Sequence, residues 1–216
     1  MHGWGGEIAS FRFLADRLSP WFRVTLIDLY GFGQTPHPDY PLCIEDYARG
    51  VAQVLDETGG GEAVLVGHSF GGRVSMRLAA NEGRVRGLVL IDSAGVIPRR
   101  GPSYYLKIAR YKLAKKFGKA VLPKGSADYN ALSDVMRGTF VNVVNENSLR
   151  DAKRIKAPTI LIWGSEDKDT PLYMCEKLNR AIRGSEKIVY EGAGHFSYLD
   201  RPDLTMRIIK TFAVGI

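Results

Sequence analysis

The stretch Ala63-Val64-Leu65-Val66 runs directly into Gly67-His68-Ser69-Phe70-Gly71-Gly72. An apolar run that meets a glycine-flanked serine reads as a β-strand turning sharply into a helix. Glycines two before and two after Ser69 suit such a turn, because a side chain at either place would collide with the neighbouring strand or helix backbone. The turn leaves Ser69 Oγ exposed at the head of a helix predicted over 70–82, facing free N–H groups and the positive end of the helix dipole. A phosphate-binding loop would carry a lysine just after the glycines, whereas Arg73 and then apolar Val74 follow here. The pattern points to a nucleophilic serine.

Other short apolar runs repeat this punctuation at Phe22–Leu29, Val85–Ile91, Pro158–Trp163 and Lys187–Tyr190. Continuous apolar strands of this kind belong to a parallel sheet buried on both faces. Between them the period changes to that of helices. Ile44, Tyr47, Val51, Val54 and Leu55 share one face, with Gly59-Gly60-Gly61 ending that helix. Thr170-Pro171 offers an N-cap and a first helical residue, and Gly184 a stop. Strand and helix in alternation, with chemistry at one sheet end, predict a mostly parallel α/β fold in one domain over 1–216. The rhythm breaks over 97–147, which reads as a helical insertion covering the sheet's C-terminal edge. Its first part, Tyr104–Ala120, has an apolar stripe through Leu106, Ala109, Leu113, Phe117 and Ala120 with lysines opposite. Its second part, Ser126–Asn147, reads as one or two further helices.

The net charge of +7 is concentrated in that insertion. Nine basic residues and no acidic one lie between Pro98 and Ala127, so the remainder of the chain sums to about −2. A single basic segment, rather than a basic domain, argues against a nucleic-acid partner. The lysines are the solvated face of a lid, with a membrane surface as the alternative partner of the basic helix. The N-terminus lacks a signal-peptide pattern and no apolar run reaches a membrane span, so the expected compartment is the cytoplasm. Cys43 and Cys175 lie far apart without metal-ligand spacing and are expected as free thiols.

A serine nucleophile needs a base, and the chain has four histidines. His68 adjoins the serine on the tight turn, so its ring should point away from Oγ. His37 lies in the proline-rich loop Thr35-Pro36-His37-Pro38, and His2 is next to the first residue. His195 sits in Glu191-Gly192-Ala193-Gly194-His195-Phe196, a glycine-rich loop leaving the last strand that can bring an imidazole over the sheet edge. An acid must orient that imidazole. Asp167, in Trp163-Gly164-Ser165-Glu166-Asp167-Lys168-Asp169-Thr170-Pro171, is the candidate; Asp169, Glu166 and Asp92 at the end of another strand are alternatives. The oxyanion donors are expected to be the backbone N–H of Phe70 and of Trp4, the latter in His2-Gly3-Trp4-Gly5-Gly6.

Taken together, these segments make the chain resemble the α/β-hydrolase-fold superfamily, in its serine hydrolase branch. His2–Gly6 is similar to that family's oxyanion loop, Asp28–Thr35 to the loop after its fourth strand, and Gly67–Gly72 to its nucleophile elbow. Trp163–Pro171 and Gly192–Asp203 are similar to its acid and histidine loops. The resemblance implies a helical lid at 97–147 and a hydrolase acting on a small-molecule acyl substrate, an ester or related bond, through an acyl-serine, without cofactor or metal. It leaves open acyl transfer to another acceptor (an acyltransferase or perhydrolase), cleavage of a carbon–carbon bond, or a binding protein with weak turnover. Tyr104, Tyr105, Met136 and Phe140 of the lid are expected to line the substrate pocket.

Members of that family usually begin with two antiparallel-edge strands and a central strand ending at the HG pair. This chain has Met1 immediately before His2-Gly3, so those N-terminal strands are expected to be missing. A vacancy is therefore predicted between Val24–Leu29 and Ala63–Val66, in a shortened form or one whose sheet another segment or subunit completes.

Overall fold

The computed structural model describes residues 1–99, 101, 106 and 132–216. Four strands, β1 (Ala63–His68), β2 (Val85–Ile91), β3 (Thr159–Gly164) and β4 (Glu186–Tyr190), pair in that order, each neighbouring pair parallel. The register places Leu65 opposite Leu88, Leu90 opposite Leu161, and Leu161 opposite Lys187. The helices are α1 (Arg12–Leu18), α2 (Ile44–Glu57), α3 (Phe70–Asn81), α4 (Asp134–Asn145), α5 (Leu149–Ala152), α6 (Leu172–Ala181), α7 (Ser197–Asp200) and α8 (Pro202–Gly215).

Strand periodicity builds a core on each side of the sheet. Leu88, Leu90, Leu161 and Trp163 enter the layer formed with α2, α3 and α6, while Val89, Ile91, Ile160 and Ile162 enter the layer formed with α1 and α8. All eight are buried, which is why these strands read as continuous apolar runs rather than alternating ones. Burying each such side chain contributes about 1.5–3 kcal/mol.

In α2 the face Ile44, Tyr47, Ala48 and Val51 is buried at helical spacing. Its start is fixed by Asp46, whose carboxylate accepts from the Cys43 amide at 2.8 Å. Its end is fixed by the left-handed pair Gly59 and Gly60, with the Gly60 amide donating to the Leu55 carbonyl at 2.9 Å. The start of α6 differs from the sequence expectation by one residue. Pro171 has ψ 149° and sits outside the helix, and the Thr170 hydroxyl turns to Asp167 and Asp92 rather than capping.

The largest difference lies at 22–29. The segment alternates sides as a strand would, with Phe22 and Leu26 against one core and Ile27 and Leu29 in the other, yet it forms no ladder. A cavity of about 500 Å³, bordered by Val24 and Leu26 on one side and Val64 and Val66 on the other, separates it from β1. A strand is defined by hydrogen bonds to a neighbour, and 22–29 has no strand beside it among the described residues. The expected basic helix Tyr104–Ala120, with Tyr104 and Tyr105, lies outside the described residues, Leu106 aside. Among the described residues no helix is long and apolar enough to cross a membrane.

Candidate active site

The end of β1 turns into α3 through Ser69, which has φ 48° and ψ −110°, a conformation a non-glycine residue rarely adopts. Close packing around the turn explains its glycines. A Cβ on Gly67 would stand 2.6 Å from the Gly71 carbonyl oxygen, and one on Gly71 would stand 2.5 Å from the Met1 carbonyl oxygen. The strained serine is held from both sides, its amide donating to the Ile91 carbonyl and its carbonyl accepting from the amides of Gly72 and Ala94.

Loops from three strand ends bring three side chains into line. Ser69 Oγ donates to His195 Nε2 at 3.0 Å, and His195 Nδ1 donates to Asp167 Oδ2 at 2.9 Å. The Asp167 side chain is fully buried, and the His195 side chain is partly buried, 14% exposed. Asp167 also accepts from the amides of Asp169 and Thr170 on Oδ1 and from the Thr170 hydroxyl on Oδ2. Burial alone would raise its carboxyl group, but the bonds from His195 and Thr170 hold it below the usual carboxylate range. Burial pushes the His195 imidazole down, while the bond and charge of Asp167, with smaller contributions from Asp169 and Asp92, carry it above its ordinary value. Such a pair can supply a base that takes a hydroxyl proton and stays charged beside its carboxylate.

The loop His2–Gly6 is fixed by His2. Its Nδ1 donates to the Gly3 carbonyl at 2.7 Å, and its Nε2 accepts from the Leu29 amide at 3.1 Å. Burial lowers its basicity, in keeping with the neutral tautomer those two bonds require. The Trp4 ring meets Phe32, Phe70 and Phe140 edge to face, with centroids 4.9, 5.4 and 5.1 Å away. Among the described residues, the amides of Trp4 and Phe70 donate to no protein group.

Asp167, Asp169 and His195 have potential ligand atoms within 4.8 Å of one another, the kind of spacing a metal ion could use. The Asp167 oxygens and His195 Nδ1 are already engaged with each other and with Thr170 and the turn amides, so this donor set fits an ion poorly.

The sequence matches the alpha/beta hydrolase family over residues 1–208. The chain belongs to that family. This alpha/beta hydrolase is 29% identical over 243 residues to a pimeloyl-[acyl-carrier protein] methyl ester esterase of Neisseria meningitidis, covering 100% of this chain and 93% of the relative. Among solved structures it is similar to an esterase from Exiguobacterium antarcticum, with a TM-score of 0.77 and 22% identity over 98% of this chain and 89% of that one. It is also similar to an enol-lactonase from Burkholderia xenovorans, with a TM-score of 0.76 and 23% identity over 99% of this chain and 89% of that one.

In this alpha/beta hydrolase Ser69, Asp167 and His195 come together, while the alternatives Glu166 and Asp169 are exposed and Asp92 points elsewhere. His37 is exposed. Phe140 reaches Trp4, and Met136 is buried with its sulfur against Gly31. Two further residues, His68 and Phe196, pack against His195. His68 Nε2 donates to the His195 carbonyl at 2.7 Å, and its ring lies 4.9 Å from that imidazole. Phe196, 52% exposed, stands beside both histidines. A long-range backbone contact leaves no sequence signal, although an aromatic residue after the histidine is one that could have been noted.

Proposed function

We propose that this protein is a serine hydrolase that cleaves a carboxylic ester or related acyl bond through an acyl-serine intermediate. The observation that carries the reading is the unbroken hydrogen-bond line from Ser69 Oγ through His195 to Asp167. Ser69 Oγ bonds to the substrate carbonyl carbon as its proton passes to His195 Nε2, and the carbonyl electron pair moves onto oxygen. The amides of Trp4 and Phe70 take that oxyanion. Collapse expels the alcohol, which leaves with the proton from His195. A water then repeats the sequence in reverse, losing a proton to His195, releasing the carboxylic acid and restoring Ser69.

The aromatic wall of Trp4, Phe70 and Phe140 suits an apolar acyl group, and exposed Phe196 suits the leaving-group side. The esterase name of the Neisseria relative supports ester chemistry at carbon–oxygen bonds. Hydrolysis of short p-nitrophenyl esters by the wild type and Ser69→Ala tests the reading. Turnover that falls by at least about 10⁴-fold in the variant supports it, and turnover that survives Ser69→Ala refutes it.

A further inference from the structure

We propose that Asp92 is a positioning residue for this chemistry, a single buried carboxylate that ties the loops of Ser69, Asp167 and His195 to the end of β2. The inference rests on the serine hydrolase reading and deepens it. Asp92 follows the last residue of β2 with φ 43°, a left-handed conformation that aspartate tolerates better than most residues. Its Oδ1 accepts from the Gly164 amide at 2.8 Å, at the end of the strand that leads to Asp167. Its Oδ2 accepts from the Ser197 amide at 3.0 Å and the Ser197 hydroxyl at 2.5 Å, two residues beyond His195. Its main-chain amide donates to the Ile162 carbonyl, and its carbonyl oxygen lies 3.0 Å from the Thr170 hydroxyl, which stands between it and Asp167 Oδ2 at 2.6 Å. Its neighbours Ile91 and Ala94 bond the main chain of Ser69.

The chemistry of the donors requires a carboxylate here. Three hydrogens converge on two oxygens, and an acceptor-only group satisfies them all. An asparagine of the same shape would present an N–H₂ to the Gly164 amide or to Ser197, setting donor against donor in a buried place. Burial is complete enough to push the Asp92 carboxyl up to about 7 despite those bonds. Groups that feel its charge come from every neighbouring element: Asp167 and His195 on their loops, Tyr190 on β4, Tyr198 on α7 and Cys175 on α6. The negative charge helps keep the His195 imidazole basic.

The test compares the wild type with Asp92→Asn and with the milder Ser197→Ala, which removes only the hydroxyl bond. Asp92→Asn is expected to lower kcat by about 10²-fold, the effect of an ångström-scale misplacement, with KM little changed. Where the wild-type Asp92 is ionised, above about pH 7, its charge supports His195, so the acid limb of the kcat/KM profile lies at lower pH in the variant. Ser197→Ala lowers kcat in the same pattern by a smaller factor, and it carries the test if Asp92→Asn does not fold. NMR titration of the His195 imidazole reads the same displacement without turnover, so an inactive wild type would count against the hydrolase reading alone. An Asp92→Asn protein whose kcat and imidazole titration match the wild type overturns the inference. Loss of thermal stability without a shift of the imidazole titration does so too, leaving Asp92 a merely structural residue.

Discussion

The main-chain amine of Met1 donates to the Val66 carbonyl at 2.8 Å, and the Met1 carbonyl accepts from the His68 amide at 3.1 Å. Those two bonds form a parallel bridge opposite Gly67, placing Met1 where a strand running along the outer edge of β1 would end. Beyond it lies the cavity between β1 and 22–27.

A strand of about five residues joined ahead of Met1 is therefore expected to run into that cavity and pair with β1. Each added backbone hydrogen bond contributes about 1 kcal/mol, and every such increment raises Tm by about 2–4 °C in a domain of this size. Thermal melts with and without the added strand check this, with hydrogen exchange at Val64 and Val66 as the local readout. An unchanged Tm and unchanged exchange would exclude pairing in the cavity.

The buried His68 imidazole makes stability depend on pH. Burial lowers it from 6.5 to about 3, so between those limits the unfolded chain binds a proton there that the folded chain does not, and this group favours folding as the pH rises. The Asp92 carboxyl, raised from 3.8 to about 7, works in the opposite sense over the same range. Denaturant melts across this range measure the net slope, and His68→Ala should lower it.

His68→Ala should weaken both the fold and the chemistry. It leaves the His195 carbonyl without its buried donor, a loss of about 1–3 kcal/mol in unfolding free energy, and it removes a ring that flanks the imidazole. Ester turnover should fall in kcat more than in KM, measured beside urea melts of the same protein.

Asp167→Asn should reduce kcat by about 10⁴-fold with little change in fold, because an amide stabilises the wrong imidazole tautomer. In the wild type, kcat/KM should rise with pH through a His195 titration lying above the ordinary histidine range and then level off. Asp167→Asn should lose that elevated limb, a difference that a pH series on p-nitrophenyl acetate detects.

Much of this arrangement was readable because it depends on local pattern. β2 coincides with its apolar run at Val85–Ile91, and the other three strands lie within two residues of theirs. The glycines around Ser69 stand where backbone meets backbone. Asp167 was the candidate of its loop in sequence, but what separates it from Asp169 and Glu166 is burial and the bond to His195, which three neighbouring carboxylates do not display in sequence. The 22–29 segment has the composition of a strand, but a ladder needs a neighbour, and no property of Phe22–Leu29 reveals whether one is there. The roles of His68 and Asp92 rest on contacts with residues more than 70 positions away, His195 and Gly164 among them. Such contacts appear only once the sheet has gathered its loops.

The most direct test of the central claim is intact-mass analysis after exposure to a fluorophosphonate probe, with peptide mapping of the adduct. The account predicts one adduct per chain, on Ser69, formed rapidly by the wild type and not by His195→Ala or Ser69→Ala. An adduct on another residue, or labelling that persists undiminished in Ser69→Ala, would contradict it.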